Sequence, residues 1–212
     1  MGLLFDICEA LQRGSFKVVS AKTQEALDAG ITPERILNEG LLMGMAIIGR
    51  KFKVNEVYVP DVLIAARAMH AGLDILKPKL AESGVEPAGK VVLGTVKGDL
   101  HDIGKNLVGM MMIGAGLEVI DVGIDVSEDK FIQAVKEHQP AVLALSALLT
   151  TTMSEQRNVI HALKAAGLRE KVKVMVGGAP VTADFANKIG ADAYTPDAAT
   201  AAEVAKQFAL EK

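Results

Sequence analysis

The chain has 212 residues, a length that corresponds to one or two small domains. Half of the residues are hydrophobic and 23% are charged, which excludes a disordered protein and predicts a substantial core. The net charge of -3 and the aromatic content of 4% exclude a broad basic surface and a set of base-stacking platforms, so we expect no nucleic-acid partner.

Cysteine content and the length of the apolar runs bear on the cellular compartment. Cys8 is the only cysteine, so the chain forms no internal disulfide and has no pair of thiols for zinc. A reducing compartment is favoured, and we predict a cytoplasmic location. The N-terminal residues do not resemble a signal peptide, and apolar runs such as residues 141–149 are shorter than the roughly 20 residues that cross a bilayer. We expect no membrane anchor.

The first eighty residues have the apolar spacing of amphipathic helices and predict a bundle of four. Glycines, a proline and hydroxyl side chains mark the expected helix ends. In chain order, the predicted helices are residues 3–12 before Gly14, residues 16–27 between Ser15 as N-cap and Gly30, a helix from Thr32 and Pro33 past Met43, Ile47 and Phe52, and a helix from Pro60 to Leu76.

The helical spacing is lost over residues 77–89, which contain two prolines and two glycines, and we interpret this stretch as a linker and a hinge. Further along the chain, short β-rich runs alternate with helical segments, which is typical of βαβ units. The predicted strands are residues 91–96, 117–122, 141–145, 172–176 and 192–194. The predicted organisation is a helical domain over residues 1–84, a linker over 85–89, and a doubly wound, five-stranded parallel α/β domain over 90–212, similar to flavodoxin-like and Rossmann-like folds.

Doubly wound sheets bind ligands at the carboxyl ends of their strands, so function is expected in the loops there. The candidate loops are residues 97–104, 146–152, 177–180 and 194–198. If the strand order is 2-1-3-4-5, the first two loops flank one crevice. Glycine patterns typical of nucleotide-binding loops are absent from the loop with Gly177 and Gly178.

In the first loop, Asp99 lies two residues before His101 and is a candidate acceptor for an imidazole N–H. Gly98 and Gly104 would let a bulky ligand approach the backbone. The alternative is a solvated loop histidine beside turn glycines. Only carboxylates accompany His101, which disfavours zinc and favours a cofactor that brings its other metal ligands. The remaining histidines are predicted to be structural or solvated: His70, His138 and His161.

The other loops carry weaker signals. Hydroxyl side chains within residues 146–152 could cap the helix that begins near Ser154. Gly177 and Gly178 could serve a turn or admit a flat ligand.

Residues 98–104, with Ser146-x-Leu148 and Gly177-Gly178 at later strand ends, resemble the D-x-H-x-x-G, S-x-L and G-G signature of B12-binding domains. The helical half resembles the cap module that precedes this domain in cobalamin-dependent methionine synthase and in corrinoid proteins of methanol, methylamine and aromatic O-demethylase methyltransferase systems. The resemblance covers nearly the whole chain.

This resemblance implies a cobalamin or related corrinoid bound base-off and His-on. His101 would be the lower axial ligand of cobalt, Asp99 would accept its distal N–H, and Thr152 would complete the relay. The nucleotide tail would pass the Gly177-Gly178 loop. Further corrinoid contacts implied in the α/β half are Gly98, Leu100, Asp102, Gly104, Ser146, Leu148, Thr150 and Ala198, and those in the helical half are Glu39, Phe52 and Val59.

The resemblance also implies a function. The protein would carry a methyl group on cobalt between a substrate-specific methyltransferase and a second methyltransferase that serves tetrahydrofolate or coenzyme M, and a reductive activator would be a third partner. No catalytic residue is predicted, because no chain remains for a donor or acceptor site of its own. The alternatives are the small cobalamin-binding subunit of an adenosylcobalamin-dependent mutase, a B12-responsive regulator, and a flavodoxin-like module without cobalt. The methyl donor is left open.

Overall fold

The structure, a computed structural model, describes residues 2–211 and divides into two compact units. One unit contains the residues up to Pro87 together with Gly114–Gly116, and the other contains Ala88–Ile113 and the chain from Leu117 onward. Within the described residues, no helix has the length and apolar character needed to cross a membrane.

The first unit is built from helices, as predicted. Its core is formed by the buried faces of its longer helical segments and includes Ile7, Leu11, Ile36 and Leu41. The segments are α1 Leu3–Gln12, α2 Phe16–Asp28, α3 Pro33–Arg35, a π-helical stretch Ile36–Leu42, α4 Met43–Lys53 and α5 Val59–Glu82. The predicted third helix thus continues from α3 to α4 through a π-helical stretch that the apolar spacing did not predict.

Local chemistry explains most of these helix ends. Gly14 and Gly30 adopt φ angles of 69° and 79° just after α1 and α2, a conformation that glycine adopts without a steric penalty. The Thr32 hydroxyl accepts a hydrogen bond from the Arg35 amide at 3.4 Å, which confirms the predicted cap. Ser15 occupies the predicted N-cap position of α2, but its side chain makes no capping hydrogen bond.

The linker predicted to begin at residue 77 is wrong over its first part, because α5 continues to Glu82 with Pro78 inside it. Proline removes one backbone hydrogen bond from a helix. Leu76 and Leu80 lie one turn apart on the buried face, so the packing of this face continues past the proline and offsets that loss. The helix ends at Ser83, and Gly84 follows with a φ of 68°.

One buried polar atom in the helical unit has no partner. Thr23 on α2 is fully buried, and within the described chain its Oγ1 forms no hydrogen bond. We expect Thr23→Val to stabilise the unit by about 1 kcal/mol, because it replaces an unpaired hydroxyl with a methyl group of similar size. Thr95→Val is the matched control, since the buried Thr95 hydroxyl donates to the His101 carbonyl at 2.9 Å. The midpoint of thermal unfolding should rise for Thr23→Val and fall for Thr95→Val. A lower midpoint for Thr23→Val would contradict this account.

The second unit is a parallel sheet with the order β2-β1-β3-β4-β5, which confirms the predicted fold class and decides the strand order that the sequence left open. Its core contains Val92, Phe131, Leu143 and Ile160. The strands are β1 Lys90–Val96, β2 Glu118–Val126, β3 Val142–Ser146, β4 Lys173–Gly177 and β5 Ala193–Tyr194. The helices are α6 Ile103–Gly114, α7 Glu128–His138, α8 Met153–Ala165, α9 Ala183–Ile189 and α10 Ala198–Leu210, with a 3₁₀ turn at Arg169–Lys171.

Candidate cofactor site

The loops that follow β1 and β3 lie side by side, because these strands are neighbours in the sheet. Thr95 near the end of β1 pairs in register with Ser146 at the end of β3, and Ser146 also pairs with Gly177 at the end of β4. The first two candidate loops are therefore adjacent at the carboxyl edge of the sheet, where doubly wound folds bind their ligands. Asp99 is fully buried between these loops.

The Asp99 carboxylate joins the two loops through hydrogen bonds to both of its oxygens. Oδ1 accepts from the backbone amide of His101 at 3.1 Å and contacts Nδ1 of its ring at 2.7 Å. Oδ2 accepts from the Thr152 hydroxyl and from the Leu148 amide, each at 2.7 Å. The structure thus brings His101, Asp99 and Thr152 into one continuous hydrogen-bonded chain.

The same contacts determine the charge of Asp99. Burial alone would raise the pKa of Asp99, but hydrogen bonds from Thr152, His101 and the Leu148 amide outweigh burial and hold the pKa of this carboxyl well below its usual range. A carboxylate in this state accepts hydrogen bonds and donates none. The Nδ1 atom of His101 must therefore carry the proton that lies between the two groups.

His101 presents its other ring nitrogen outward. The side chain is 49% exposed, and among residues 2–211 no hydrogen bond engages Nε2. An imidazole that donates from Nδ1 has its lone pair on Nε2, and this is the arrangement of a histidine that binds a metal. In the described part of the chain, no group of three or more His, Cys, Asp or Glu side chains could hold a metal ion. A metal at Nε2 must bring its other ligands, as the cobalt of a corrinoid does.

The surroundings of His101 also suit a large apolar ligand. Leu100 and Ile103 flank the histidine in sequence and are 67% and 77% exposed, and Leu148 and Leu149 in the adjacent loop are partly exposed as well. Neighbouring exposed, large apolar side chains are typical of ligand sites. A Cβ added at Gly104 would meet no atom within 4 Å, so the backbone there is open to a ligand. The residues present therefore fit a corrinoid.

The two glycines at the end of β4 have a structural reason that the sequence left open. A Cβ on Gly178 would overlap the Ala147 carbonyl oxygen and lie 2.7 Å from its carbon, and Gly178 adopts a φ of 130°. A Cβ on Gly177 would lie 3.4 Å from the Thr195 carbonyl oxygen. Gly178 is thus required by the close approach of the backbone at Ala147, whether or not a ligand is bound.

The prediction that loop hydroxyls cap the following helix is wrong at Thr152. This residue occupies the N-cap position of α8 without making a capping bond. Its hydroxyl donates to Asp99 instead, because that acceptor is a buried carboxylate.

The remaining predicted contacts in the α/β unit lie at the same edge of the sheet. Asp102 is exposed and contacts Asn106, and Thr150 is exposed in the loop after β3. Ala198 is the buried first residue of α10, which Asp197 caps by accepting from the Thr200 amide at 2.8 Å.

The predicted residues of the helical unit lie on three of its segments. Glu39 is in the π-helical stretch, where Arg35 donates to both of its carboxylate oxygens at 2.8 Å and 3.1 Å. This hydrogen bonding lowers the pKa of Glu39. Phe52 and Val59 are half-buried, on α4 and at the start of α5. Arg35 was not among the predicted site residues, although it stands at i,i+4 spacing from Glu39.

Another residue that sequence reasoning missed lies between β3 and β4. Gln156 on α8 is fully buried, and its Nε2 donates to the Leu145 carbonyl at 3.0 Å and to the Gly177 carbonyl at 3.1 Å. It therefore ties the carboxyl ends of the two strands together beside Gly178.

Comparisons with known proteins identify the family of this chain. The family described as "B12 binding domain" matches residues 89–205, and a second family of the same description matches residues 3–77. A corrinoid protein of Desulfitobacterium hafniense (strain Y51) is 40% identical over 211 residues, with 98% of each chain covered. Dimethylamine corrinoid protein 3 of Methanosarcina acetivorans is 42% identical over 215 residues, which cover 99% of this chain and 98% of that protein.

The solved structures include a similar complex. The methanol:cobalamin methyltransferase complex of Methanosarcina barkeri matches with a TM-score of 0.89 and 31% identity, over 99% of this chain and 80% of that chain. With a B12-binding sequence family over more than half of its length and corrinoid relatives along nearly all of it, the chain belongs to the corrinoid protein family.

Proposed function

We propose that this protein carries a methyl group on a corrinoid that is bound base-off, with His101 as the lower axial ligand of cobalt. The observation that carries the proposal is the chain from Thr152 through Asp99 to Nδ1 of His101, which leaves Nε2 unengaged by the described residues. When bound, the cobalt of a corrinoid supplies both a nucleophile that accepts a methyl group and a bond from which the group is passed on.

The residues of the chain would tune that cobalt through the histidine. Asp99 holds the proton on Nδ1, so a neutral His101 offers its lone pair at Nε2. A histidine protonated on both nitrogens cannot bind a metal, so proton uptake at Nε2 would accompany release of the ligand. Thr152 and the Leu148 amide would keep the carboxylate in place in both states, because they donate to the oxygen that does not face the ring.

The proposed corrinoid contacts are those implied by the motifs. In the α/β unit they are Gly98, Leu100, Asp102, Gly104, Ser146, Leu148, Thr150, Gly177, Gly178 and Ala198, and in the helical unit they are Glu39, Phe52 and Val59. The position of the first group at the carboxyl edge of the sheet supports this assignment.

The proposed partners are a substrate-specific methyltransferase, a second methyltransferase for the acceptor and a reductive activator. The relatives named for dimethylamine and trimethylamine, and the match to a methanol:cobalamin methyltransferase complex, support a methyltransferase partner. The same names favour methyl transfer over the alternative of an adenosylcobalamin mutase subunit.

Reconstitution with hydroxocobalamin tests the histidine ligand. We expect the desalted protein to retain about one corrinoid per chain, and its Co(II) EPR spectrum to show splitting from one axial nitrogen. ¹⁵N-labelling of the protein alone should convert each triplet into a doublet, because the nitrogen then belongs to the protein. His101→Ala should lose this splitting, whereas His161→Ala, an exposed histidine on α8, should keep it. Retention without any protein nitrogen on cobalt would contradict the proposal.

A further inference from the structure

The second strand departs from regular pairing near the candidate site. Leu93 of β1 pairs with Asp121 of β2, Gly94 with Gly123, and Val96 with Val126. Between these pairs β2 contains one extra residue in each interval, so its carboxyl end carries two β-bulges. Bulges of this kind turn a side chain away from the direction that regular pleating would give it.

Asp125 lies in the second bulge and has a φ of 51°. This is the left-handed region, which residues other than glycine, asparagine and aspartate rarely adopt. A strained conformation persists where surrounding contacts hold it, and it is enriched at ligand sites.

The contacts of Asp125 are with the loop that carries His101. Its Oδ1 accepts a hydrogen bond from the Gly98 amide at 2.7 Å, and its own amide donates to the Asp99 carbonyl at 3.0 Å. Asp125 therefore binds two consecutive residues, the second of which holds the His101 ring. Gly98 itself has a φ of 77°, so the loop makes a sharp turn at the point where Asp125 binds it.

A second contact from β2 lies at the far end of the same loop. Asp121, just before the first bulge, forms an ion pair with Lys105, whose side chain is almost fully buried on the first turn of α6. Asp121 and Asp125 thus attach β2 to both ends of residues 98–105. The His101 loop is bounded by β2 on one side and by the loop after β3 on the other.

We infer that Asp125 is a positioning residue for the proposed cobalt ligand His101, an inference that rests on the proposed function. By holding the backbone at Gly98 and Asp99, it orients the Asp99 carboxylate and hence the direction of Nε2. The hydrogen bond to Gly98 is charge-assisted, which makes it stronger than an ordinary amide hydrogen bond. The strain at Asp125 is offset by these two contacts.

Three substitutions separate the positioning role from a stabilising one. Asp125→Asn keeps an acceptor oxygen and tolerates the left-handed conformation. Asp125→Gly removes the acceptor and relieves the strain, so its unfolding midpoint should stay close to that of the wild type. Asp125→Ala removes the acceptor and keeps the strain.

The first readout is the ratio of histidine-bound to histidine-free cobalt in Co(II) EPR spectra after loading with hydroxocobalamin. We expect Asp125→Gly and Asp125→Ala to lower this ratio by about tenfold, the effect of losing one charge-assisted hydrogen bond. Asp125→Asn should restore it to near the wild-type value. An unchanged ratio in the glycine and alanine variants would overturn the inference.

The second readout needs no cofactor. Amide hydrogen exchange at Gly98 in the unloaded protein should be slow in the wild type and in Asp125→Asn, and faster in Asp125→Gly. If Gly98 exchanges equally slowly in all three, Asp125 does not hold the loop and the inference fails. A wild-type protein that retains no corrinoid would instead overturn the proposed function, and the exchange result distinguishes the two failures.

Discussion

We expect Asp99→Asn to lower the free energy of unfolding of the α/β unit by about 2–3 kcal/mol at neutral pH. The asparagine fits the space of the carboxylate, but its amide group must face either the Leu148 N–H or the N–H groups of His101, since donors surround both oxygens. One buried amide then loses its acceptor. The loss of the charge also removes the group that holds the proton on Nδ1 of His101. Chemical denaturation at pH 7 would measure the first effect, and Co(II) EPR of the loaded variant the second.

The pH dependence of this difference has a definite sign. The pKa of Asp99 is lower in the folded protein than in the unfolded chain, whose value is about 3.9. Its stabilising contribution is therefore fully present above that unfolded-state value and is lost as the pH falls toward the folded-state pKa. The difference in the free energy of unfolding between wild type and Asp99→Asn should therefore become smaller as the pH is lowered below about 4. Asp102→Asn, which changes an exposed carboxylate in the same loop, is the control. If the difference in unfolding free energy between wild type and Asp99→Asn does not change with pH, Asp99 is not a buried anion.

The fold was largely predictable because its main signals are local. Alternation of β-rich runs with helical segments, together with the limited set of doubly wound orders, was enough to predict five strands and the position of the site loops. The end of β2 was predicted four residues too early, at residue 122. The two bulges on either side of Gly123 break the regular alternation on which strand prediction depends.

The part of the site that depends on residues close together in the sequence was also predictable. His101 and Asp99 are two residues apart, so their contact is visible as a motif. Thr152 was assigned from the resemblance, and its contact with Asp99 depends on the adjacency of β1 and β3. Asp125 and Gln156 act through backbone groups 27 and 21 residues away, at Gly98 and Gly177, and no spacing rule reports such contacts. The residues after 122, where the predicted second strand ended, were not among the candidate loops, which is why Asp125 was missed.

Gly178→Ala should destabilise the α/β unit by about 3 kcal/mol or more. Two independent costs add at this position, because the φ of 130° is disfavoured for alanine and the new methyl group would overlap the Ala147 carbonyl. The backbone can move away neither at Ala147 nor at Gly178 without breaking hydrogen bonds. The Ala147 amide donates to the Gly177 carbonyl at 3.1 Å, and Gln156 donates to the same carbonyl, so the backbone is held at the ends of both strands.

Relief of the overlap would have to separate the ends of β3 and β4. The loop after β3 supplies the Leu148 amide and Thr152 to Asp99, so we expect Gly178→Ala to weaken histidine coordination as well as folding. Gly104→Ala is the matched control for stability, because its Cβ meets no atom within 4 Å and alanine favours the helix that begins there. Denaturant titration of both variants without cofactor checks the comparison. Equal stability of the two would mean that the backbone at Ala147 yields without cost, and that Gly178 is then needed only for ligand access.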